Sequence, residues 1–310
     1  MKMFRISFHE FRRDMRLPKN LCFVLLCALP LALSSCDNPV DSTTISESYL
    51  HGRAAWSPDG KSIAFSSLVQ NQAGIYVTDT IGANIRQIVS GEGVGVSWSP
   101  DGAWIVFARA GRLFKVKPSG DSLKQVTDSV GAVRPAWSKN GSMIAYITLD
   151  AMGGSATWIY DVTKATSTMV LPRGDFPSWH PTSGELVLMD AQYDAYSGYV
   201  SYAFFALTVS TASTRVIGSF SAAADCGFCT IRPSATDIAY AIVPPTDYTQ
   251  IWIYNIAQNL HTRLTDDGGN YPAWSPDGSR IVYTRSQQGD GGLWIMNADG
   301  TGKRRLTKAQ

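Results

Sequence analysis

The sequence of 310 residues has little of what enzymes and metal centres are built from. It holds no Gly-x-Ser-x-Gly elbow, P-loop, dinucleotide-binding glycine fingerprint or His-Glu-x-x-His. That removes the usual grounds for an esterase-type hydrolase, a nucleotide-dependent enzyme or a zinc protease. Histidine occurs only four times. His51, His180 and His261 stand singly, as loop or surface residues do, and make no pair at ligand spacing. Asp266-Asp267-Gly268-Gly269 and Asp299-Gly300 lack the alternating oxygen ligands of a calcium loop and read as turns. No cofactor and no metal are expected. An excess of one charge is missing as well. The formal charge is +2, and beyond residue 35 the chain carries 21 basic and 23 acidic residues, with no basic stripe. Nucleic acid is therefore not an expected partner, nor is adhesion to anionic lipid by charge alone. Long apolar runs are absent but for one, Leu21 to Leu33, interrupted by Pro30. At about thirteen residues it falls short of the roughly twenty that span a bilayer.

That run belongs to a leader. Lys2, Arg5, Arg12, Arg13, Arg16 and Lys19 precede it, giving the basic, apolar order of a secretory signal peptide over residues 1–35, whether translation starts at Met1 or at Met15. The leader ends in Leu33-Ser34-Ser35-Cys36, which resembles the bacterial lipobox. The resemblance implies lipidation of Cys36 and a membrane anchor, stable because several acyl chains share one residue. Residues 37–50 are polar and unpatterned and read as a tether, spanning roughly 20 Å if flexible. Asp37 resembles a retention signal of some bacteria, which leaves the choice of membrane open.

The rest of the chain, 51–310, is a repeat. Trp56-Ser57-Pro58-Asp59-Gly60 recurs at Trp98 and at Trp274 in identical letters. Decayed copies stand at Trp137-Ser138-Lys139-Asn140-Gly141, Trp179-His180-Pro181 and Ile231-Arg232-Pro233. Successive copies lie 42, 39, 42, 52 and 43 residues apart. Each is followed by a short branched or aromatic run such as Ile63-Ala64-Phe65, then by a second such as Ile75-Tyr76-Val77. Most units end in a polar-apolar alternation such as Arg305-Leu306-Thr307. Such runs, punctuated by turn residues, make four short strands per unit. Ser-Pro-Asp-Gly is a hairpin turn: Pro presets φ, Asp tolerates the next position and Gly accepts the left-handed one. Six such units read as an all-β fold, a six-bladed β-propeller of four-stranded antiparallel blades. The Trp packs between neighbouring sheets, so Trp and Asp of the phrase are scaffold residues. The first and last blades close the ring by packing, or residues 42–50 supply an outer strand.

These units resemble the TolB-type propeller repeat, with the last unit, Tyr271-Pro272-Ala273-Trp274 through Leu306-Thr307, matching best. The resemblance covers 51–310 and implies a periplasmic or surface-side module of the cell envelope, probing protein or peptidoglycan-associated partners as a monomer and without catalysis. The other reading is a propeller enzyme, a hydrolase or lyase on glycans or peptides, with its site in the central funnel.

The loops entering the first strands open on one end of the ring, opposite the Ser-Pro-Asp-Gly turns. They offer His51, Arg53, Glu92, Arg134, Asp175, Phe176, Phe228, Asn270 and Tyr271 as candidate contact residues. The fourth unit adds Asp190, Tyr193, Asp194, Tyr196 and Tyr199, a run whose Tyr side chains give area with a polar tip. Cys226-Gly227-Phe228-Cys229 reads first as a local disulfide in an oxidising compartment. A redox pair would sit at a helix start rather than enter a strand, and a zinc site would need two more ligands.

Overall fold

A computed structural model describes residues 51–67, 73–128, 130–149, 154–193, 200–222, 225–243, 248–285 and 291–307, with the backbone alone at His51, Tyr193, Ala222 and Asp225. The chain divides into two units, Met1–Ile45 and Ser46–Gln310, and every described residue lies in the second. The signal peptide, Cys36 and the tether thus fall outside the described residues.

The second unit is a six-bladed β-propeller. Six four-stranded sheets follow one another along the chain, each an antiparallel meander in sequence order. The inner strands are His51–Trp56, Val94–Trp98, Ala132–Trp137, Asp175–Trp179, Asp225–Ile231 and Asn270–Trp274, and they begin blades 1 to 6. The second strands carry the continuous apolar runs because both their faces are covered by neighbouring blades. Ile63, Ile105, Leu186, Ile238 and Ile281 are all fully buried. Outer strands face solvent on one side and are polar, as in Leu260–Arg263.

The repeated phrase folds as its letters require. Gly60 donates its N–H to Ser57 O at 2.9 Å with φ at 69°, and Gly102 and Gly278 repeat the bond and the conformation. The Ser hydroxyl is the hub. Ser57 Oγ donates to Asp59 Oδ1 at 2.6 Å and accepts from Ser62 N at 2.9 Å. Asp59 Oδ1 also accepts from Lys61 N at 3.1 Å. In blade 3, Asn140 takes the place of Asp and keeps both bonds, from Ser138 Oγ at 2.9 Å and Ser142 N at 3.1 Å. Blade 4 substitutes His180, whose Nδ1 accepts from Ser183 N at 3.1 Å. In blade 5 the missing Gly and Asp are compensated by Arg232, paired with Asp237 at 3.0 Å and donating to Gly278 O of the next blade at 3.1 Å. The closing Leu-Thr has a similar logic. Thr127, Thr265 and Thr307 each accept the N–H that opens the third strand of their blade, from Leu113, Ile251 and Leu293 at 3.1, 2.8 and 2.9 Å.

The Ser hydroxyls hold Asp59, Asp101 and Asp277 below the usual carboxylate range, Asp277 at about 2 against an ordinary 3.8. A carboxyl depressed in the folded state contributes stability above its unfolded pKa and loses it as pH falls through the folded one. Acid sensitivity between pH 4 and 2 is therefore expected from these turns. Because Asn140 already shows that an amide keeps the geometry, the variant Asp59→Asn, Asp101→Asn, Asp277→Asn isolates the titration. Its melting temperature should depend less on pH in that window than the parent's. Equal slopes would place the acid sensitivity elsewhere.

Among the described residues the ring closes without strand exchange; residues 42–50, the alternative source of an outer strand, lie outside them. Blades 1 and 6 each contain four consecutive strands. They meet through one apolar cluster in which Ala54, Trp56, Ile63 and Phe65 pack on Val282, Leu293, Ile295 and Leu306. Arg304 Nη2 donates to Thr80 O across the seam at 2.6 Å.

Candidate functional site

The six inner strands wall a central channel of about 400 Å³. Two sets of side chains at fixed offsets from the Trp position shape it.

The first set lies three residues before the Trp. Each inner strand is bulged there, its register shifting between His51 and Ala54, Val94 and Ser97, Asp175 and Ser178, Gly227 and Thr230, and Asn270 and Ala273, with the same shift in blade 3. One extra residue re-aims a side chain and costs backbone strain unless the surroundings hold it. Gly95, Arg134, Phe176, Phe228 and Tyr271 occupy this place with φ of 62°, 54°, 54°, 59° and 51°. Arg53 is their counterpart in blade 1. Two of the strained peptides are braced locally: Asp175 Oδ1 accepts from Phe176 N at 2.7 Å and Asn270 Oδ1 from Tyr271 N at 2.9 Å.

These side chains pack on each other across the channel and stopper its entering-loop end. The Phe176 and Phe228 rings meet edge to face at 4.7 Å, and Phe228 and Tyr271 at 3.9 Å between centroids. The Arg134 guanidinium lies 4.3 Å over Phe176 and 6.0 Å from Phe228, and ion-pairs with Asp175. Such stacking stabilises through the ring quadrupole as well as by burial. Arg53 reaches under the stopper among Cys229, Arg134, Asp175 and Tyr271, where burial pushes its guanidinium below its ordinary pKa. Its Nη1 is sealed from solvent with no hydrogen-bond partner among the described residues. Cys229 is buried too. Its thiol is pushed up to about 12, chiefly by burial, and donates to Phe176 O at 3.4 Å. A thiol held neutral in this way is no nucleophile.

The second set runs toward the turn end. Trp indoles latch three blades, 1, 2 and 4, to the one before: Trp56 Nε1 donates to Ala273 O at 3.2 Å, Trp98 to Ala55 O at 3.1 Å and Trp179 to Ala136 O at 2.9 Å. Trp137 instead turns to Gly141 O of its own hairpin at 3.1 Å, and Trp274, which follows the blade that has Ile231 in place of Trp, leaves Nε1 without a partner. Below the indoles the turn prolines Pro58, Pro100, Pro181, Pro233 and Pro276 line the channel, with Lys139 completing the ring in blade 3. Lys139 is exposed at the turn end, and partial desolvation there pushes its ammonium below its ordinary pKa.

Of the residues expected at the entering-loop end, Arg53, Arg134, Asp175, Phe176, Phe228 and Tyr271 come together, and Asn270 braces one of them. They lie inside the bulged strands rather than in the loops before them. Glu92 stays apart at the rim, its carbonyl accepting from Arg109 Nε at 2.7 Å. Asp190 also sits at the rim, paired with Arg173 at 3.3 Å. The His51 and Tyr193 side chains and residues Asp194, Tyr196 and Tyr199 lie outside what is described. Cys226 and Cys229, expected as a local disulfide, carry no bridge to each other among the described residues. Cys229 Sγ is instead turned to Phe176 O at 3.4 Å. Sequence reasoning missed Gly95 and Lys139. Counting back three residues from each Trp would have found the first, and the Pro-to-Lys change within the phrase marks the second. Among the described residues, no group of three or more His, Cys, Asp or Glu gathers as a metal site.

Residues 41–202, just over half the chain, match the family described as the TolB beta propeller domain. The chain belongs to that family. A protein of Agrobacterium fabrum is 29% identical to this TolB-type propeller over 163 residues, 44% of this chain and 53% of its own length. The TolB homologue of Chlorobaculum tepidum is 39% identical over 83 residues, 25% of this chain and 18% of its own. The chain thus aligns with about half of the first relative and less than a fifth of the second. Among solved structures, TolB from Acinetobacter baumannii superposes with a TM-score of 0.60 at 17% identity, over 82% of this chain and 62% of that one. The propeller domain of the Trilobed protease from Pyrococcus furiosus, described as having an open velcro topology, gives 0.53 at 12% identity, over 86% and 85%. An oligogalacturonate lyase in complex with manganese gives 0.54 at 15%, over 84% and 78%. At these identities the structural likenesses speak for the fold alone.

Proposed function

We propose that this chain is a non-enzymatic binding module of the bacterial cell envelope, anchored through lipid on Cys36. It presents its entering-loop face to a protein or to a peptidoglycan-associated component. The observation that carries the reading is the stopper. At the mouth where a propeller enzyme would keep a solvated funnel, Arg134, Phe176, Phe228 and Tyr271 are spent on one another, and the reactive group beside them, Cys229, is held as a neutral thiol. What remains on that face is a rim for contact. Blade 4 enlarges it with strands longer than those of its neighbours, Val200–Thr208 and Ser213–Ala222. Membership in the TolB propeller family and the lipobox-like Leu33-Ser34-Ser35-Cys36 support an envelope setting.

The anchor and the face are tested together. Cys36→Ser should abolish labelling by radioactive palmitate and move the protein from the membrane to the soluble fraction. Cross-linked capture from membranes should return a specific envelope partner that is lost when the rim pair is reversed by Arg173→Glu with Asp190→Lys. Recovery unchanged by the reversal, or turnover of a glycan or peptide by the purified protein, would overturn the reading.

A further inference from the structure

The channel carries a charge pattern that the fold does not require. Its lining contains two cations, Arg53 beneath the stopper and Lys139 among the turn prolines, and no carboxylate. Between them the wall is mixed: Ala54, Val96, Pro135, Pro177 and Ile231 with the edges of the indoles, interrupted by Ser97, Ser178 and Thr230, of which Ser97 and Ser178 accept the Trp137 and Ile231 N–H. The carboxylate near Arg53, Asp175, is already engaged by Arg134 and by the Phe176 N–H. Two guanidiniums therefore share one carboxylate, beside a thiol that contributes no negative charge. Nη1 of Arg53 is left buried with no acceptor among the described residues. Burying a charged donor unpaired is among the costlier arrangements in a protein interior, and a propeller gains nothing from it, since the matching bulge position in blade 2 is filled by Gly95 alone.

We propose that the channel is a binding site for a linear carboxylate with an apolar stem, inserted head first from the turn end. The carboxylate accepts from Arg53 at the stoppered end, and the stem lies along the alanine, proline and tryptophan wall. Lys139, the cation in the proline ring, draws the anion to the mouth. The volume of about 400 Å³ is of the size that holds a small organic ligand. A free alkanoate and the C-terminus of an apolar peptide share this chemistry. The site lies at the end of the ring opposite the contact face proposed above and stands independently of it.

Isothermal titration of the full chain with octanoate, with octanol, and with an apolar tripeptide bearing a free or an amidated C-terminus tests the site. Saturable binding of octanoate or of the free-acid peptide, without binding of octanol or of the amide, is expected, and the better of the two acids names the source. Arg53→Met should weaken that binding about ten-fold or more. Lys139→Met should weaken it less, and Lys117→Met, at an exposed position outside the channel lining, not at all. If Arg53→Met fails to fold, as judged by circular dichroism, Arg53→Lys together with the rise in melting temperature on adding octanoate to the parent protein carries the test. Acids and their neutral analogues binding alike, none of them binding, or Arg53 variants binding as the parent does would overturn the proposal.

Discussion

Replacing Trp179 with alanine lowers the stability of the propeller by about 3–5 kcal/mol. Trp179 is 6% exposed and fills the space between blades 3 and 4, where Ala136, Ala145 and Ile159 meet Leu186, Leu188 and Phe205. Truncation removes a large apolar surface from a wall that cannot collapse, because strands on both sides are fixed by their own ladders. It also strips Ala136 O of the indole N–H bound at 2.9 Å. Chemical denaturation monitored by far-ultraviolet circular dichroism reads the change as a lower midpoint at an unchanged slope. A loss below about 1 kcal/mol, the size typical of an average substitution, would deny the residue its role as an inter-blade wedge. An internal control separates packing from hydrogen bonding. Trp274 has the same place in the phrase but an unpartnered Nε1. Trp274→Phe should therefore cost less than Trp179→Phe, the difference being about 1 kcal/mol for one hydrogen bond.

Leu306→Ala should cost about 2–5 kcal/mol, and the damage should be confined to the seam. Leu306 is 3% exposed, donates its N–H to Leu293 O at 2.7 Å and packs against Trp56 and Phe65 of blade 1. In a ring closed by a shared strand, backbone hydrogen bonds would carry the closure. Among the described residues each terminal blade holds its own four strands, and closure rests on side chains: this cluster, the Trp56 latch to Ala273 and the Arg304 bond to Thr80 O. Hydrogen exchange should then accelerate in the inner strands of blades 1 and 6 well before those of blades 3 and 4. A uniform acceleration around the ring would mean that the seam is no weaker than any other blade boundary.

The decayed fifth copy shows where reading the letters works and where it stops. At Ile231-Arg232-Pro233 the spacing alone identifies a blade, although Trp and Gly are gone. The replacement of their contacts by the Arg232–Asp237 pair and by the Arg232 bond to Gly278 O is invisible in the letters. Arg53, Arg134, Phe176, Phe228 and Tyr271 could be placed at one end of the ring from their position before each phrase. That they point inward and stack on one another depends on a bulge at the same place in all six inner strands, and no local pattern of apolar and polar residues announces it. The Cys226-x-x-Cys229 spacing invited a bridge, whereas the structure turns Cys229 Sγ to Phe176 O.

By itself the sequence determined the blade count, the turn chemistry and the apolar second strands, because each is a short-range property repeated with the period of the chain. The tertiary structure alone decided the Trp latches to the preceding blade, the side-chain closure of the ring, the stopper, and the buried Arg53 beneath it. Each of these joins residues from different repeats, and their meeting is fixed by the curvature of the ring and the bulges of its inner strands, not by any neighbour in the chain.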